Sequence, residues 1–294
     1  MGAANYQEPA YYNRLLRSLR ESGCACHVIL FTNNASNPLL QKIFAKYAAE
    51  LVEFYPLGDG LTEENMARDT WPVDPIRGHT SWYRFALFYH YLRQYGDQFT
   101  HVGWVDIRDI VFQRDPFARL PEVGLRTFAE TSVFTLQHKK AVYLDWSLRD
   151  WKYKCDAQYD QYSAFPPINL GVVLGDRQSV SLVLSLLICE LKKCGGWDQF
   201  VFSRLIYRET RRLHSRPFPQ DQGQPKRLGD LIAHSKTEIT ETGGVANLCA
   251  SLQVKLDAFN TVLNDHGQAY EIVHQWDRFD ELAALWDRKF PLQI

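Results

Sequence analysis

The chain has 294 residues, 46% of them hydrophobic, a formal net charge of -1 and a pI near 6.8. That supports a sizeable core, as one large domain or a domain with a small appendage. No polybasic tract is present, so a nucleic-acid or anionic-membrane partner has no electrostatic basis. The most apolar segment, Val180 to Leu191, is interrupted by Ser181, Ser185 and Glu190. It falls far short of the roughly 20 residues that a membrane span requires.

The start, MGAANYQEPAYYNRLL, has no apolar signal-peptide region, and Tyr6 breaks the myristoylation pattern. A soluble chain is expected. The six cysteines show neither CxxC nor zinc-like Cys/His spacing. They read as free thiols, which favours a reducing compartment. Cys189, in an apolar helix, reads as a small hydrophobe.

Helix signals alternate with short β-rich runs. Pro9 to Glu21 carries Tyr12, Leu15, Leu16 and Leu19 at helical spacing and ends near Gly23. His27 to Thr32 is predicted as the first strand, with GAANY the exit of a strand that is missing or cut away. Asn37-Pro38 opens a helix through about Ala49, and Leu51 to Tyr55 is a second strand. A polar Gly/Pro-containing loop follows. Ser81 to Tyr95 is an amphipathic helix feeding a strand at His101 to Val105. This rhythm predicts a parallel, doubly wound sheet in the first ~115 residues.

Beyond it, Thr127 to Thr135 reads as strand and Lys140 to Trp151 as helix. Ile168 to Leu174 is a strand, and Ser179 to Lys193 and Trp197 to Tyr207 are helices. Arg211 to Lys226, rich in Pro, Gln and Arg, reads as a long loop. Tyr270 to Val273 is a short strand and Phe279 to Lys289 the last helix.

The most informative stretch is HVGWVDIRDIVFQRDPF, His101 to Phe117. A buried strand delivers Asp106 and Asp109 at its end, and a second apolar run, Ile110 to Phe112, follows at once. Two acids there are costly unless something cationic meets them. In open α/β sheets ligands bind beyond the carboxyl ends of the strands. A divalent cation carrying a diphosphate suits the position; a strand end capped by a surface Asp/Arg network is the plain alternative.

The block DIRDIVFQRDPF resembles the acidic block of nucleotide-sugar-dependent glycosyltransferases with the GT-A fold. Four other pieces fall in that family's order: SWYRFALFYHYL, INLGVVLG, WDQ at Trp197 to Gln199, and YEIVHQWDR at Tyr270 to Arg278. The resemblance covers most of the chain. It implies an α/β, GT-A-like fold with a Rossmann-type, mostly parallel central sheet flanked by helices and a smaller, irregular acceptor-side region. Residues 1–294 would form one domain, with 1–115 the nucleotide-binding half and 116–294 the acceptor-binding half.

The resemblance also implies a reaction: transfer of a sugar from a nucleoside-diphosphate sugar, UDP foremost, to a hydroxyl of a glycan or glycoprotein acceptor. Mn²⁺ or Mg²⁺ would assist. Asp109 would be a metal ligand, and Asp106 a metal or ribose ligand. The family's usual D-x-D is here D-x-x-D, with Arg108 inside the motif and able to face the phosphates. His274 would be a further metal or phosphate ligand; its plain reading is a core histidine, and Asp277 and Arg278 after it may cap the last helix.

Arg84 would lie near the nucleotide or the acidic motif; a structural salt bridge, perhaps to Asp106 or Asp109, is its other reading. Asn169 and Gly171 would border the donor sugar. Asp198 would be the catalytic carboxylate, a general base in an inverting enzyme or a stabiliser of the oxocarbenium-like state in a retaining one; otherwise it caps a helix. Trp197, Asp156 and Asp160 would meet the acceptor, and Ala4 and Tyr6 the nucleobase. His138-Lys139-Lys140 and Arg211-Arg212 read as solvated surface. The cytoplasm is the expected location, or the Golgi lumen for a catalytic domain cut from a longer chain. Two rival functions stay open: a non-catalytic sugar- or nucleotide-binding domain of the same fold, and a sugar nucleotidyltransferase.

Overall fold

A computed structural model describes residues 1–4, 8–54, 80–130, 136, 162–194, 198–214, 235–240, 242–248 and 253–292. In chain order the elements are β1 (Gly2–Ala4), α1 (Pro9–Glu21), β2 (Val28–Thr32), α2 (Pro38–Lys46), β3 (Ala49–Glu53), α3 (Thr80–Tyr95), β4 (His101–Val105), β5 (Ile110–Phe112) and β6 (Leu125–Ala129). There follow β7 (Ile168–Asp176), α4 (Arg177–Cys194), α5 (Asp198–His214), β8 (Lys236–Ile239), β9 (Val245–Asn247), β10 (Lys255–Leu256), β11 (Val262–Leu263), β12 (Ile272–His274) and α6 (Asp280–Lys289). This is a mixed α/β chain, as its alternating periodicities predict. It divides into two compact units: Met1–Tyr55, Trp104–Arg119 and Glu238–Ile294 form the first, and Pro56–Gly103 with Leu120–Thr237 the second.

In the first unit, β1, β2 and β3 form a parallel sheet in that order. The expected absence of a strand before Val28 is corrected: Gly2–Ala4 pairs with Leu30–Thr32. Three residues, one of them glycine, carry too little apolar pattern to announce a strand. Gly2 has a packing reason, since a Cβ there would meet Leu30 Cδ2 at 2.9 Å and the Val105 carbonyl at 3.2 Å. Helix α1 starts with Pro9 in its first turn and buries Tyr12, Leu15, Leu16 and Leu19, the face its spacing predicts. Asn37 caps α2 by accepting from the Leu39 and Leu40 N–H groups. That helix stops at Lys46 rather than Ala49. Ala48 turns left-handed, φ 48°, and Ala49 already begins β3.

A second sheet of this unit has the order β5-β12-β9, with β12 antiparallel to β5 and parallel to β9. Strand β12 runs Ile272–His274, two residues later in its start than Tyr270 to Val273. Tyr270 instead closes the preceding turn, its N–H donating to the Val262 carbonyl. Val273, Trp276, Leu282, Trp286 and Phe290 share one buried cluster. Burying each large side chain contributes about 1.5–3 kcal/mol. Trp276 and Trp286 meet edge to face, centroids 5.4 Å apart.

In the second unit the strand order is β4-β7-β6-β8, with β6 antiparallel to β7. The parallel rhythm of β1 to β3 therefore does not extend through β7. Strand β6 occupies Leu125–Ala129, earlier than Thr127 to Thr135. Helix α3 packs on α4. Asp176 ends β7 and starts α4, accepting from the N–H groups of Gln178 (2.9 Å), Ser179 (3.1 Å) and Gly124 (2.6 Å) and from the Ser179 hydroxyl. Burial works against its charge, but these donors prevail and lower its pKa. The expected loop at Arg211 is corrected as far as His214, which is still helical in α5. Val180, Val183, Leu184, Leu187, Ile188 and Leu191 form the buried face of α4, while Cys189, read as a small hydrophobe, is exposed. The predicted helix Lys140 to Trp151 lies outside the described residues. Among the described residues no helix is long and apolar enough to cross a membrane.

Candidate metal centre

Strand β4 delivers Asp106, and the turn 106–109 brings the chain straight into β5. Ile107, 2% exposed, pins that turn into the core between the two acids. The β5–β12 ladder then sets His274 opposite Ile110, the residue after Asp109. A further bond, from the Gln275 N–H to the Asp109 carbonyl at 2.9 Å, ties the end of β12 to the acidic turn. Gln275 takes a left-handed φ of 63°, unusual for a residue with a Cβ.

The ligand atoms of Asp106, Asp109 and His274 all lie within 4.8 Å of one another. His274 Nε2 stands 3.5 Å from Asp106 Oδ2 and 3.7 Å from Asp109 Oδ1. The other ring nitrogen, Nδ1, is 3.0 Å from Asn247 Oδ1. Asn247 sits beside His274 in the β9–β12 ladder. An amide oxygen can only accept, so Nδ1 donates this bond and Nε2 is the ring nitrogen that faces the two carboxylates, where a cation could take its place among them. That Nε2 is buried and makes no hydrogen bond among the described residues. Burial raises the pKa of Asp109; the imidazole opposes this, and the charges of Asp106 and Asp277 add to it. Two carboxylate oxygens and an imidazole nitrogen converging within 4.8 Å are a donor set whose chemistry suits a divalent cation.

Arg108 projects from the same turn, half exposed, and pairs with Asp277 at 3.1 Å. Asp277 therefore does not cap α6. That cap position is Phe279, which makes no side-chain cap bond. Asp277 and Arg278 belong to a short 3₁₀ turn, Trp276–Arg278. The turn is braced from α1, where Arg14 lies 4.4 Å over the Trp276 ring and pairs with Asp287.

The remaining candidates with described side chains gather in the second unit. Arg84 of α3 pairs with Asp198 at 3.1 Å. Asp198, the first residue of α5, also accepts from the Gln199 N–H. Gln199 Nε2 donates to Glu130 Oε1 at 2.7 Å, and Asn169 Nδ2 approaches the same oxygen at 3.5 Å. Asn169 Oδ1 accepts from the Gly171 N–H at 2.7 Å. All of these except Arg84 and Gln199 are fully buried. Ala4 ends β1. Tyr6, Asp156, Asp160 and Trp197, with His138 to Lys140, lie outside the described residues. Asn247 and Glu130 were missed by sequence reasoning. Each is a polar residue closing an apolar run, VAN and FAE, and that was the available signal.

Compared with known proteins, the sequence matches no family and no curated relative.

Proposed function

We propose that the chain is a metal-assisted glycosyltransferase of GT-A type. It would transfer a sugar from a nucleoside-diphosphate sugar, UDP foremost, to a hydroxyl of a glycan acceptor. The observation that carries this reading is the convergence of Asp106, Asp109 and His274, with the ring held through Nδ1 by Asn247 so that Nε2 faces the acids. Hard carboxylate oxygens with one imidazole suit Mn²⁺ or Mg²⁺. When bound, such an ion supplies Lewis-acid stabilisation of a departing diphosphate.

The chain's own residues take the other roles. Asp109, buried and disfavoured as a lone anion, is relieved by a cation. Arg108 presents a guanidinium at the mouth of the acidic turn, where phosphate oxygens would compete with Asp277 for it. Asp198 is held by Arg84 in a fixed orientation, as a carboxylate that acts on the acceptor or the oxocarbenium-like sugar must be. Asn169 and Gln199 share Glu130 and so present amides in set directions to a sugar's hydroxyls.

Calorimetric titration of the full chain with UDP and Mn²⁺ tests the reading. The expected result is binding that requires the metal and disappears in Asp109→Ala. Slow hydrolysis of one sugar donor, in a screen across UDP- and GDP-sugars, would identify the donor. A chain that binds no nucleoside diphosphate with or without metal overturns the proposal.

A further inference from the structure

A second reactive cluster lies on the first unit, between α1 and β2, and metal binding and glycosyl transfer make no use of it. Cys24 and Cys26 are separated by the exposed Ala25 and preceded by the exposed Gly23. The Cys26 backbone N–H donates to Cys24 Sγ at 3.4 Å, which folds the Cys24 side chain forward over the next cysteine. Arg20 folds the segment back on itself: its Nη1 donates to the carbonyls of both Cys24 (3.1 Å) and Cys26 (2.9 Å), and its Nε to the Tyr47 carbonyl. Cys24 is buried, whereas Cys26 is half-buried and reachable. The arrangement is asymmetric: one accessible sulfur, with a cation and a thiol donor beside it, and one protected sulfur within reach.

We propose that Cys24 and Cys26 form a peroxide-oxidisable dithiol, with Cys26 the attacking sulfur and Cys24 the resolving one. The hydrogen bond from the Cys24 thiol, helped by Arg20, holds Cys26 down to about 7 despite its partial burial. The same bond, with burial, raises Cys24. At neutral pH a sizeable share of Cys26 is thiolate while Cys24 stays a thiol.

The chemistry balances with a hydroperoxide as the oxidant. The Cys26 thiolate attacks the peroxide oxygen; an S–O bond forms, the O–O bond breaks, and the leaving oxygen departs as hydroxide or alkoxide and takes up a proton. Cys26 is then a sulfenic acid, oxidised by two electrons. The Cys24 sulfur attacks the Cys26 sulfur; an S–S bond forms, the S–O bond breaks, and the thiol proton leaves with the hydroxyl as water. Two residues apart, the Cα atoms are at most roughly 7 Å apart, near the upper limit a disulfide spans. Gly23, at φ +87° with nothing within 4 Å of a Cβ, lets the segment adjust. A tight ring of this kind stays readily reducible.

The test uses the reduced full chain, hydrogen peroxide at neutral pH, alkylation and peptide mass mapping. The expected product is a peptide holding both residues that has lost two hydrogens and regains them on dithiothreitol treatment. Oxidation should run roughly tenfold faster at Cys26 than at Cys189, the exposed thiol of the same chain. In Cys24→Ser the sulfenic acid has no resolving partner, so dimedone should label Cys26. Should that variant fail to fold, the wild-type mapping decides by itself. Oxidation no faster at Cys26 than at Cys189, or a disulfide from Cys26 to any sulfur other than Cys24, overturns the proposal.

Discussion

The two units treat buried charge in opposite ways. In the second, Glu190 of α4 meets two cations from α5: Arg204, which is 1% exposed, and Arg208 at 2.7 Å. Burial disfavours its charge, but these arginines outweigh that and lower its pKa. In the first, Asp109 sits beside Asp106 and His274, and burial raises its pKa against the pull of the imidazole. Each cluster is partly buried and joins two elements, consecutive helices in the one and the acidic turn with distant β12 in the other. One is complete with protein cations, whereas the other concentrates negative charge around an imidazole nitrogen. Charge balance, more than burial or polarity, separates a structural ion cluster from a cation site.

The largest test of this contrast is Arg204→Ala, which leaves Glu190 with one cation and opens space in the core. Chemical denaturation should show a loss of about 3–5 kcal/mol, with no change in metal response. Asp109→Asn should act in the reverse sense. Without metal it should match or exceed the parent, by about 1 kcal/mol, because it removes the buried anion. Its advantage should grow as pH rises from the unfolded value near 3.9 towards the raised folded pKa of Asp109 and then level off, because over that window the unfolded chain loses its proton while the fold still holds it. With Mn²⁺ at a hundredfold excess over its Kd the parent should gain about 2.7 kcal/mol and Asp109→Asn nothing. A metal-induced melting shift in Asp109→Asn equal to the parent's would place the cation elsewhere.

Asn247→Ala should weaken Mn²⁺ binding by about 10- to 100-fold while keeping the triad, because the imidazole loses the partner that sets its tautomer. The smallest effect is expected at Asp176→Ala, about 1 kcal/mol, from the lost helix cap. Here the folded pKa lies below the unfolded value near 3.9. The stabilisation should be present in full above that value and fade as pH falls through the folded pKa. Parent and variant should therefore converge in stability only in acid.

Strong local patterns were legible in the chain alone. Pro9–Glu21 and His101–Val105 match their predicted bounds because a proline start, a helical apolar stripe and a continuous apolar run are local signals. Boundaries failed where a tertiary contact overrode the pattern. At Ala49, pairing with Val28 claims residues that read as helix. At Gly2–Ala4, the strand exists only through its ladder with β2. Asp106, Asp109 and His274 could be nominated from their residue types and from the resemblance of their flanking blocks. Arg84 could be nominated too, but its partner could not.

The amino-acid order settled which side chains are present: two acids after an apolar run, a histidine closing a late one, and a C-A-C pair beside an arginine helix face. Only the tertiary structure decided which of them meet. The β5–β12 register puts His274 against the acidic turn, Asn247 holds the imidazole through Nδ1, and Asp198 is a carboxylate that meets Arg84. Residue type sets what an atom can donate or accept, and that travels with the sequence. Electrostatic and coordination energies depend on separations of a few ångströms, and for residues far apart in the chain only strand pairing and packing set those.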